Sequence, residues 1–382
     1  MENVSSLSFW ERQTYFEGVD LLIVGSGIVG LNAARAARHL KPNWKILVVD
    51  RGAILPYGAS TRNAGFACFG SMTELLDDLK NNAENDVFDL VQRRWTGLQR
   101  LRNVIGDKNL GYEELGGYEL FSAADKLVWK ECLNRLDGFN QQLESICGKK
   151  NNYEVATHEI ENFGFSGVNH LIKNKGEGQV DTGKMMKSLL SLVREKNVDV
   201  LNGIDIKAWQ QNESALLVDT GNGFKIPTQQ LLITTNAFAK QLLPDILVEP
   251  GRAQVLITKP ISELKVKGTF HIEKGYYYFR NVGDRLLLGG GRNLDFKSEN
   301  TYEFGTTSKV QDHLENLLST IILPKHTFEI DQRWSGIMGL GPVKSSIIQK
   351  VEERIYCAVR MGGMGVAIGT QVGEEAAALV CN

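Results

Sequence analysis

The clearest chemical signal lies in Gly25, Gly27 and Gly30, spaced G-x-G-x-x-G through Gly25-Ser26-Gly27-Ile28-Val29-Gly30. The first glycine allows a tight turn, and the second lets the backbone approach a pyrophosphate. The third lets a helix pack closely on a strand. The helix N-terminus that follows offers unpaired N–H groups and a positive dipole end to phosphates. Asp50 stands about twenty positions on, where an acidic residue accepts hydrogen bonds from a ribose. This pattern predicts a bound dinucleotide. After Asp50 come Arg51-Gly52 and then Gly58-Ala59-Ser60-Thr61-Arg62-Asn63-Ala64-Gly65-Phe66. Small residues there permit close approach, and Arg62 and Asn63 offer charged and amide donors. A plain nicotinamide-binding domain has no evident need for such a loop at this place. Farther along, His271, Tyr277 and Tyr278 are the protonic candidates, with Arg280 beside them. No acid/base dyad is visible, which suits a site whose cofactor carries the hard chemistry.

The elements needed to position these residues are legible around them. Val19 to Val24 reads as a strand, the residues up to Leu40 as an alanine-rich helix, and Lys45 to Val49 as a second strand ending on Asp50. From Ser71 to Gln142, apolar residues such as Leu75, Leu79, Phe88, Val91, Trp95, Leu98 and Leu101 recur at helical spacing and predict helices over a core. Between them Tyr112 to Ser122 reads as a hairpin around Gly116-Gly117. Asp181 is placed to cap a helix from Thr182 to about Glu195. Strands follow at 198–201, 204–206, 214–219 and 224–226. Leu231 to Thr235 is an apolar run of the kind found in buried parallel sheets, ending at Asn236-Ala237-Phe238. From Gly251 to Arg292 the pattern alternates, with strands at 254–258, 275–280 and 285–288, as in an antiparallel sheet. In the middle strand Tyr277 and Phe279 share one face, and Tyr276, Tyr278 and Arg280 the other. A last strand, 353–359, leads into Arg360-Met361-Gly362-Gly363-Met364-Gly365-Val366 and a final helix.

Composition sets the bounds. The chain has 382 residues, enough for two domains. Its formal net charge is −2 and it has no Lys/Arg block, which argues against a nucleic-acid surface. Five scattered cysteines without a C-x-x-C predict neither a metal site nor a disulfide framework, and fit a reducing compartment. The first eighteen residues lack the regions of a signal peptide. Their aromatics, Phe9, Trp10, Tyr15 and Phe16, predict a short helix packed on the dinucleotide domain. No apolar run reaches membrane-span length, so a cytoplasmic protein is expected.

From Val19 onward the chain resembles the D-amino-acid-oxidase-like (DAO) family of FAD-dependent oxidoreductases. The glycine fingerprint, the Ser60–Gly65 loop, Gln179–Asp181, the sheet ending in Gly289–Arg292 and the last glycine turn fall in the family's order. Tyr277–Arg280 with Gly289–Gly291, together with Thr235–Phe238, look nearest the γ-glutamylputrescine oxidase branch, beside the glycine oxidase and sarcosine oxidase branches. The resemblance implies an α/β fold, with a Rossmann-like FAD-binding domain and an α+β substrate domain carrying a large antiparallel sheet. It divides the chain into a discontinuous FAD domain, 1–80, 170–240 and 330–382, and a substrate domain, 81–169 and 241–329. It implies non-covalent FAD, held by Gly25, Ser26, Gly27, Ile28, Val29, Gly30, Asp50, Arg51, Gly52 and the loop Ser60, Thr61, Arg62, Asn63, Ala64, Gly65. Farther contacts would come from Ile206 (adenine), Thr235, Asn236, Gly336 and the turn Gly362, Gly363, Met364, Gly365, Val366 at the flavin pyrimidine edge. There a helix N-terminus would stabilise reduced-flavin charge. Met364 stands where the family often has histidine. In the sarcosine oxidase branch a tyrosine and a phenylalanine at the Tyr277 and Phe279 spacing line the cavity.

The implied reaction oxidises a C–N bond of an amine or N-substituted amino acid, passing a hydride to FAD and on to oxygen or another acceptor. Tyr277, Tyr278 and Arg280 are the catalytic candidates. Glycine oxidase and its relatives carry Trp-x-Gly-x-Arg-Pro, whose arginine pairs with the substrate carboxylate. Here the run is Trp334-Ser335-Gly336-Ile337-Met338-Gly339, and Met338 cannot make that pair. Arg280, Arg292 and Arg333 are open either to a carboxylate elsewhere or, more in keeping with arginine's usual use, to structural pairing. Two further readings stay open: a dehydrogenase with a non-oxygen acceptor, and a flavin-binding protein without turnover. The expected partners are small molecules, without nucleic acid or membrane, and the sequence leaves oligomeric state unassigned.

Overall fold

The computed structural model describes residues 7–382. Val19–Val24 sits at the middle of the first sheet, paired in parallel with Ile46–Asp50 on one side and Lys225–Ile233 on the other. Asp199–Asn202 and Ile355–Val359 extend the parallel core outward. Ile347–Glu352 closes one edge antiparallel, and the hairpin Ile206–Gln211 and Leu216–Thr220 hangs on Lys225–Ile233. Strands buried on both faces read as near-continuous apolar runs: Val19–Val24 is apolar but for the half-buried Asp20, and Ile46–Asp50 is apolar up to its last residue, Asp50. One face packs against the helices Ile28–Leu40, Thr182–Arg194 and Gly365–Cys381 and the end of Glu84–Ile105. The other packs against the hairpin and Phe16. The N-terminal aromatics divide: Phe16 is buried against Phe224, whereas Phe9 and Trp10 stand exposed. The predicted packing therefore rests on Phe16, with Tyr15 partly buried beside it.

The second sheet runs in the order Ile330–Leu340, Glu249–Thr258, Arg285–Gly290, Tyr277–Val282, Thr269–Ile272, Gly117–Ser122, Val168–Asn174, Tyr153–Val155. Its pairs are antiparallel except Thr269–Ile272 with Gly117–Ser122, which is parallel. The hairpin expected at 112–122 is absent. Gly117–Ser122 is one strand, and its partners lie about fifty and a hundred and fifty residues away. Ile330–Leu340 and Val168–Asn174 pair in this second sheet, while Leu98, Leu101 and Ile105 join the core beneath the first.

Candidate active site

The fingerprint turn is held from three sides. Gly25 has φ +107°, a region open to glycine, and a side chain on it would crowd Thr234. A Cβ on Gly30 would overlap the Gly25 carbonyl oxygen, so the helix Ile28–Leu40 meets the strand only through glycine. Asp50 carries the third restraint. Its Oδ2 accepts from Ser26 N (2.9 Å) and Ser26 Oγ (3.1 Å), and its Oδ1 from Gly52 N (2.9 Å) and Tyr57 N (3.0 Å). A carboxylate offers about four acceptor positions, and the protein itself fills them. Asp50 is thus first a clamp on the turn. Ser26, Gly30, Gly52 and Thr61 lie behind the cavity rather than on its wall.

In the following loop, Ser60 Oγ accepts from Ile28 N (3.0 Å), and a Cβ on Gly27 would stand 2.8 Å from the same oxygen. Asn63 is engaged with its own loop. Its amide donates to Ser60 O (2.7 Å), and its Oδ1 accepts from Gly65 N and Thr182 Oγ1, each at 2.9 Å. Arg62 stacks on Phe304, with Cζ 4.3 Å from the ring centre, and its buried Nε has no partner. Arg51 lies between Tyr57 and Phe238.

From Gly25 and Asp50 a single cavity of about 740 Å³ runs past Ile206 and Arg62 to Tyr278 and Met338. Its size is at the upper end for small-molecule sites. Ile28, Val29, Ala64, Gly65, Thr235, Gly336 and the turn from Gly362 to Val366 also line it. At the far end the turn is stapled by Asn236, whose Oδ1 accepts from Arg360 N and Met361 N, both at 3.1 Å. Gly362 and Gly363 take positive φ there. The helix Gly365–Cys381 then begins with its N-terminus at the cavity, and the first amides of a helix lack internal partners.

The aromatic run is placed differently from one expectation. Tyr277 and Phe279 point into the core of the second sheet, against His313 and Phe270. Tyr278 and Tyr276 line the cavity instead. The cause is strand alternation: one face of Tyr277–Val282 must cover the helix Ser308–Leu317 and the other the cavity. The tyrosine and phenylalanine spacing of the resemblance fell on the wrong face. Tyr278 lies over Gly289, directly across the ladder, where any side chain would strike its ring. Burial pushes its hydroxyl up to about 12, so it is a hydrogen-bond donor at neutral pH.

Arg280 is buried behind Gly65 and is not on the cavity wall. Its Nε has no partner, and burial lowers its pKa to about 10. It is a positive charge one residue layer from the cavity, without an ion pair among the described residues.

His271 lines the cavity, and burial brings its pKa down to about 4, which leaves it neutral. Its Nε2 is 3.7 Å from Cys68 Sγ. Cys68, His271 and Glu177 offer ligand atoms within 4.8 Å of one another, a donor set suited to zinc-like cations. Burial pushes the Cys68 thiol well up and Glu177 up to about 7, so the surroundings favour three neutral groups. Chain separation hid this cluster from sequence reading.

Glu74, on the helix Met72–Asp78, also reaches the cavity and was missed. Burial raises its carboxyl, but Arg94 and Lys344 outweigh that and hold it at about 2. Its neighbours Leu75 and Leu79 follow helical spacing, and nothing local sets Glu74 apart from the other charges of that stretch.

A parallel-sheet dinucleotide cleft that opens onto an antiparallel sheet defines a flavin-type oxidoreductase fold. The chain belongs to the DAO family, the FAD dependent oxidoreductases, whose model matches residues 20–379. Among solved structures it is similar to L-proline dehydrogenase from P. horikoshii, with 18% identity, TM-score 0.74, and 95% of this chain and 93% of that chain covered. It is also similar to glycine oxidase from Bacillus cereus ATCC 14579, with 16% identity, TM-score 0.74, and 95% and 97% covered. A third is iminodiacetate oxidase from Chelativorans sp. BNC1, with 19% identity, TM-score 0.71, and 94% and 95% covered. No curated protein matches the chain. No helix among the described residues is long and apolar enough to cross a membrane.

Proposed function

We propose that this FAD oxidoreductase oxidises the C–N bond of an amine or N-substituted amino acid, with FAD held non-covalently. The observation that carries the reading is the continuous cavity from the fingerprint glycines to Tyr278 and His271. The residues fit the cofactor. Gly27 and Gly65 bring bare backbone to the cavity wall, and the orphaned Arg62 Nε and Thr235 Oγ1 await polar partners. The fingerprint turn would hold the pyrophosphate, Ile206 the adenine, and the Gly362–Val366 turn the flavin ring. When bound, FAD supplies the two-electron acceptor.

The chain's own residues then orient and shield. Tyr278 donates a hydrogen bond from its protonated hydroxyl. Neutral His271 accepts one, but at about 4 its pKa is too low for an efficient general base at neutral pH. It therefore orients an amine rather than deprotonating it. Phe66 and Met338 exclude water from the wall. Arg280 biases the site toward negative charge through Coulomb attraction in a low-dielectric setting. This reading includes two domains, one about each sheet, and a cytoplasmic location, which five thiols without a disulfide support.

The test is anaerobic mixing of the yellow protein with a panel of amines, N-alkyl amino acids and amino acids. Bleaching of the flavin absorbance by a C–N substrate is the expected result. If no panel member bleaches flavin that dithionite does reduce, the C–N reading fails.

A further inference from the structure

We propose that Cys68, His271 and Glu177 form a binding site for a zinc-class divalent cation, with one coordination position open to the cavity. The site is independent of the reaction proposed above; only its effect on turnover rests on that reading.

Backbone pairing brings the three side chains together. Phe66–Ala67 and Gly178–Gln179 form a two-stranded antiparallel ribbon, in which Ala67 faces Gly178. The next rung of that register sets Cys68 opposite Glu177. His271 comes from the second sheet, on the strand Thr269–Ile272. Its Nε2 is 3.7 Å from Cys68 Sγ, and Thr269 Oγ1 is 3.8 Å from the same sulfur. One ligand atom from each of Cys68, His271 and Glu177 lies within 4.8 Å of the other two.

The spacing suits a tetrahedral ion. Zinc bonds thiolate sulfur at about 2.3 Å and imidazole nitrogen at about 2.0–2.1 Å, which at a tetrahedral angle puts the two atoms about 3.6 Å apart. The sulfur and nitrogen here are 3.7 Å apart. Thiolate and imidazole select zinc and its neighbours over magnesium, which takes oxygen ligands. Charge balances as well. A dication with one thiolate and one carboxylate sums to zero, so burial does not oppose the complex as it opposes a lone ion. Binding releases the thiol proton to solvent, and the carboxyl proton where Glu177 carries it. Two further acids lie close. Glu74 acts on Cys68 and His271, and Glu119 on Glu177. The opposing charge is Arg280, which lies in the field of Cys68.

The ligands are held in place, and one side of the site is open. Glu177 Oε1 accepts from Phe69 N (3.1 Å) and Gly70 N (3.2 Å), and a side chain on Gly117 would strike Glu177 Oε2. A carboxylate has about four acceptor positions, so the two backbone donors leave room for an ion. Phe66 meets the His271 ring edge-on at 5.2 Å and sets its plane. Outer contacts of this kind orient metal ligands. Cys68 and His271 line the cavity, whereas Glu177 stands behind them. An ion among the three therefore meets the cavity on its remaining side. Three protein ligands with a fourth position free is the arrangement by which zinc accepts water or a small molecule; here that molecule is one with a nitrogen lone pair. An ion on His271 Nε2 also removes the acceptor that orients an amine, so zinc should slow the proposed oxidation.

The experiment uses the flavin-loaded protein, treated with EDTA and dialysed. Calorimetry with zinc chloride should show a single tight site per chain, and magnesium chloride should show none. Cobalt chloride should give the visible bands of tetrahedral Co(II), which lie to the red of the flavin absorption. Added imidazole should shift those bands by taking the open position. Cys68→Ser and Glu177→Gln should each weaken zinc by about a hundredfold or more, since losing an outer contact alone costs about 10–100-fold. Flavin content and melting temperature show whether each variant is folded. No tight zinc site in wild type, magnesium bound as tightly as zinc, or wild-type zinc affinity in either folded variant overturns the site. Cobalt bands that ignore imidazole overturn the open position. Should a variant lose its flavin, the wild-type cobalt spectrum decides, and octahedral rather than tetrahedral bands overturn the site. With an amine that bleaches the flavin, zinc should slow the bleaching and EDTA restore it; unchanged bleaching in the zinc-loaded protein overturns the effect on turnover. A protein that binds zinc but oxidises no amine breaks the reading above and leaves the cation site standing. One that oxidises amines and ignores zinc breaks this inference alone.

Discussion

Glu177 is 1% exposed, and its Oε1 accepts from the backbone N–H groups of Phe69 (3.1 Å) and Gly70 (3.2 Å). It faces Cys68 and His271, so an ionised Glu177 has no cation to balance it among the donors that touch it. Burial raises its folded pKa to about 7, above the ordinary carboxyl value. Its protonated form therefore favours folding. That contribution is complete below the unfolded pKa and is lost as pH rises through 7. His271 has the opposite sense. Its folded pKa is depressed to about 4, so its contribution is complete above the unfolded value near 6.5 and is lost as pH falls through 4. The two windows overlap, so their opposite pH slopes largely cancel between the ordinary carboxyl and imidazole values. Glu177→Gln keeps an acceptor for the two backbone amides and removes the titration. Relative to wild type it should gain stability from pH 5 to pH 8, by up to about 3 kcal/mol. Urea unfolding at those two pH values measures it, and parallel pH dependence in the two proteins would refute the assignment. Neither limb was readable in the sequence. Glu177 looks there like one more charge in a glycine-rich loop, and only the fold makes it an interior acid.

Helices carry the same lesson at the next scale. Gly97 and Gly138 both lie well inside 22-residue helices, Glu84–Ile105 and Lys126–Cys147. Local sequence treats them alike, as sites where alanine favours the helix by up to about 1 kcal/mol. The packing separates them. A Cβ on Gly138 meets nothing within 4 Å, whereas one on Gly97 would overlap the carbonyl oxygen of Ala367. Ala367 lies in the first turn of the C-terminal helix and lines the cavity. Gly138→Ala is therefore expected to stabilise by about 0.4–1 kcal/mol. Gly97→Ala should destabilise by about 1–3 kcal/mol, the range for overpacking, and should also weaken flavin retention by displacing that turn. Denaturation midpoints and flavin content after gel filtration distinguish the two, and similar behaviour of both variants would contradict the helix contact. Elements with local causes were legible. The fingerprint strand and helix, and the Asp181 cap with its 2.9 Å bond from Lys184 N, follow from nearby residues. Gly117–Ser122 was not legible as a lone strand, because its partners are chosen by packing across the sheet rather than by a neighbouring turn.

Across the whole molecule, the cavity is bounded by both sheets: Gly25 and Thr234 from the parallel one, Val255, Tyr278 and Met338 from the antiparallel one. The sequence marked the first wall well, since a dinucleotide turn is a short local motif. It marked the second poorly. Glu74, Tyr276 and Lys274 reach the wall only through long-range pairing, and the face of the Tyr277–Val282 strand turned on which side met the helix Ser308–Leu317. A ligand that touches both walls must couple them. Loading FAD at a hundred times its dissociation constant should add about 2.7 kcal/mol of stability. For a chain of this length that raises the melting temperature by about 3 °C. The same sample tests how the cofactor is held. Cys357 is buried in the parallel-sheet core, away from the cavity. Cys68 does reach the cavity, but burial keeps its thiol protonated and poorly nucleophilic. Acid precipitation should therefore leave a white pellet, with all the flavin in the supernatant. A yellow pellet would show a covalent bond. Cys68→Ser would then tell whether that thiol makes it, because it alone among the five cysteines lines the cavity.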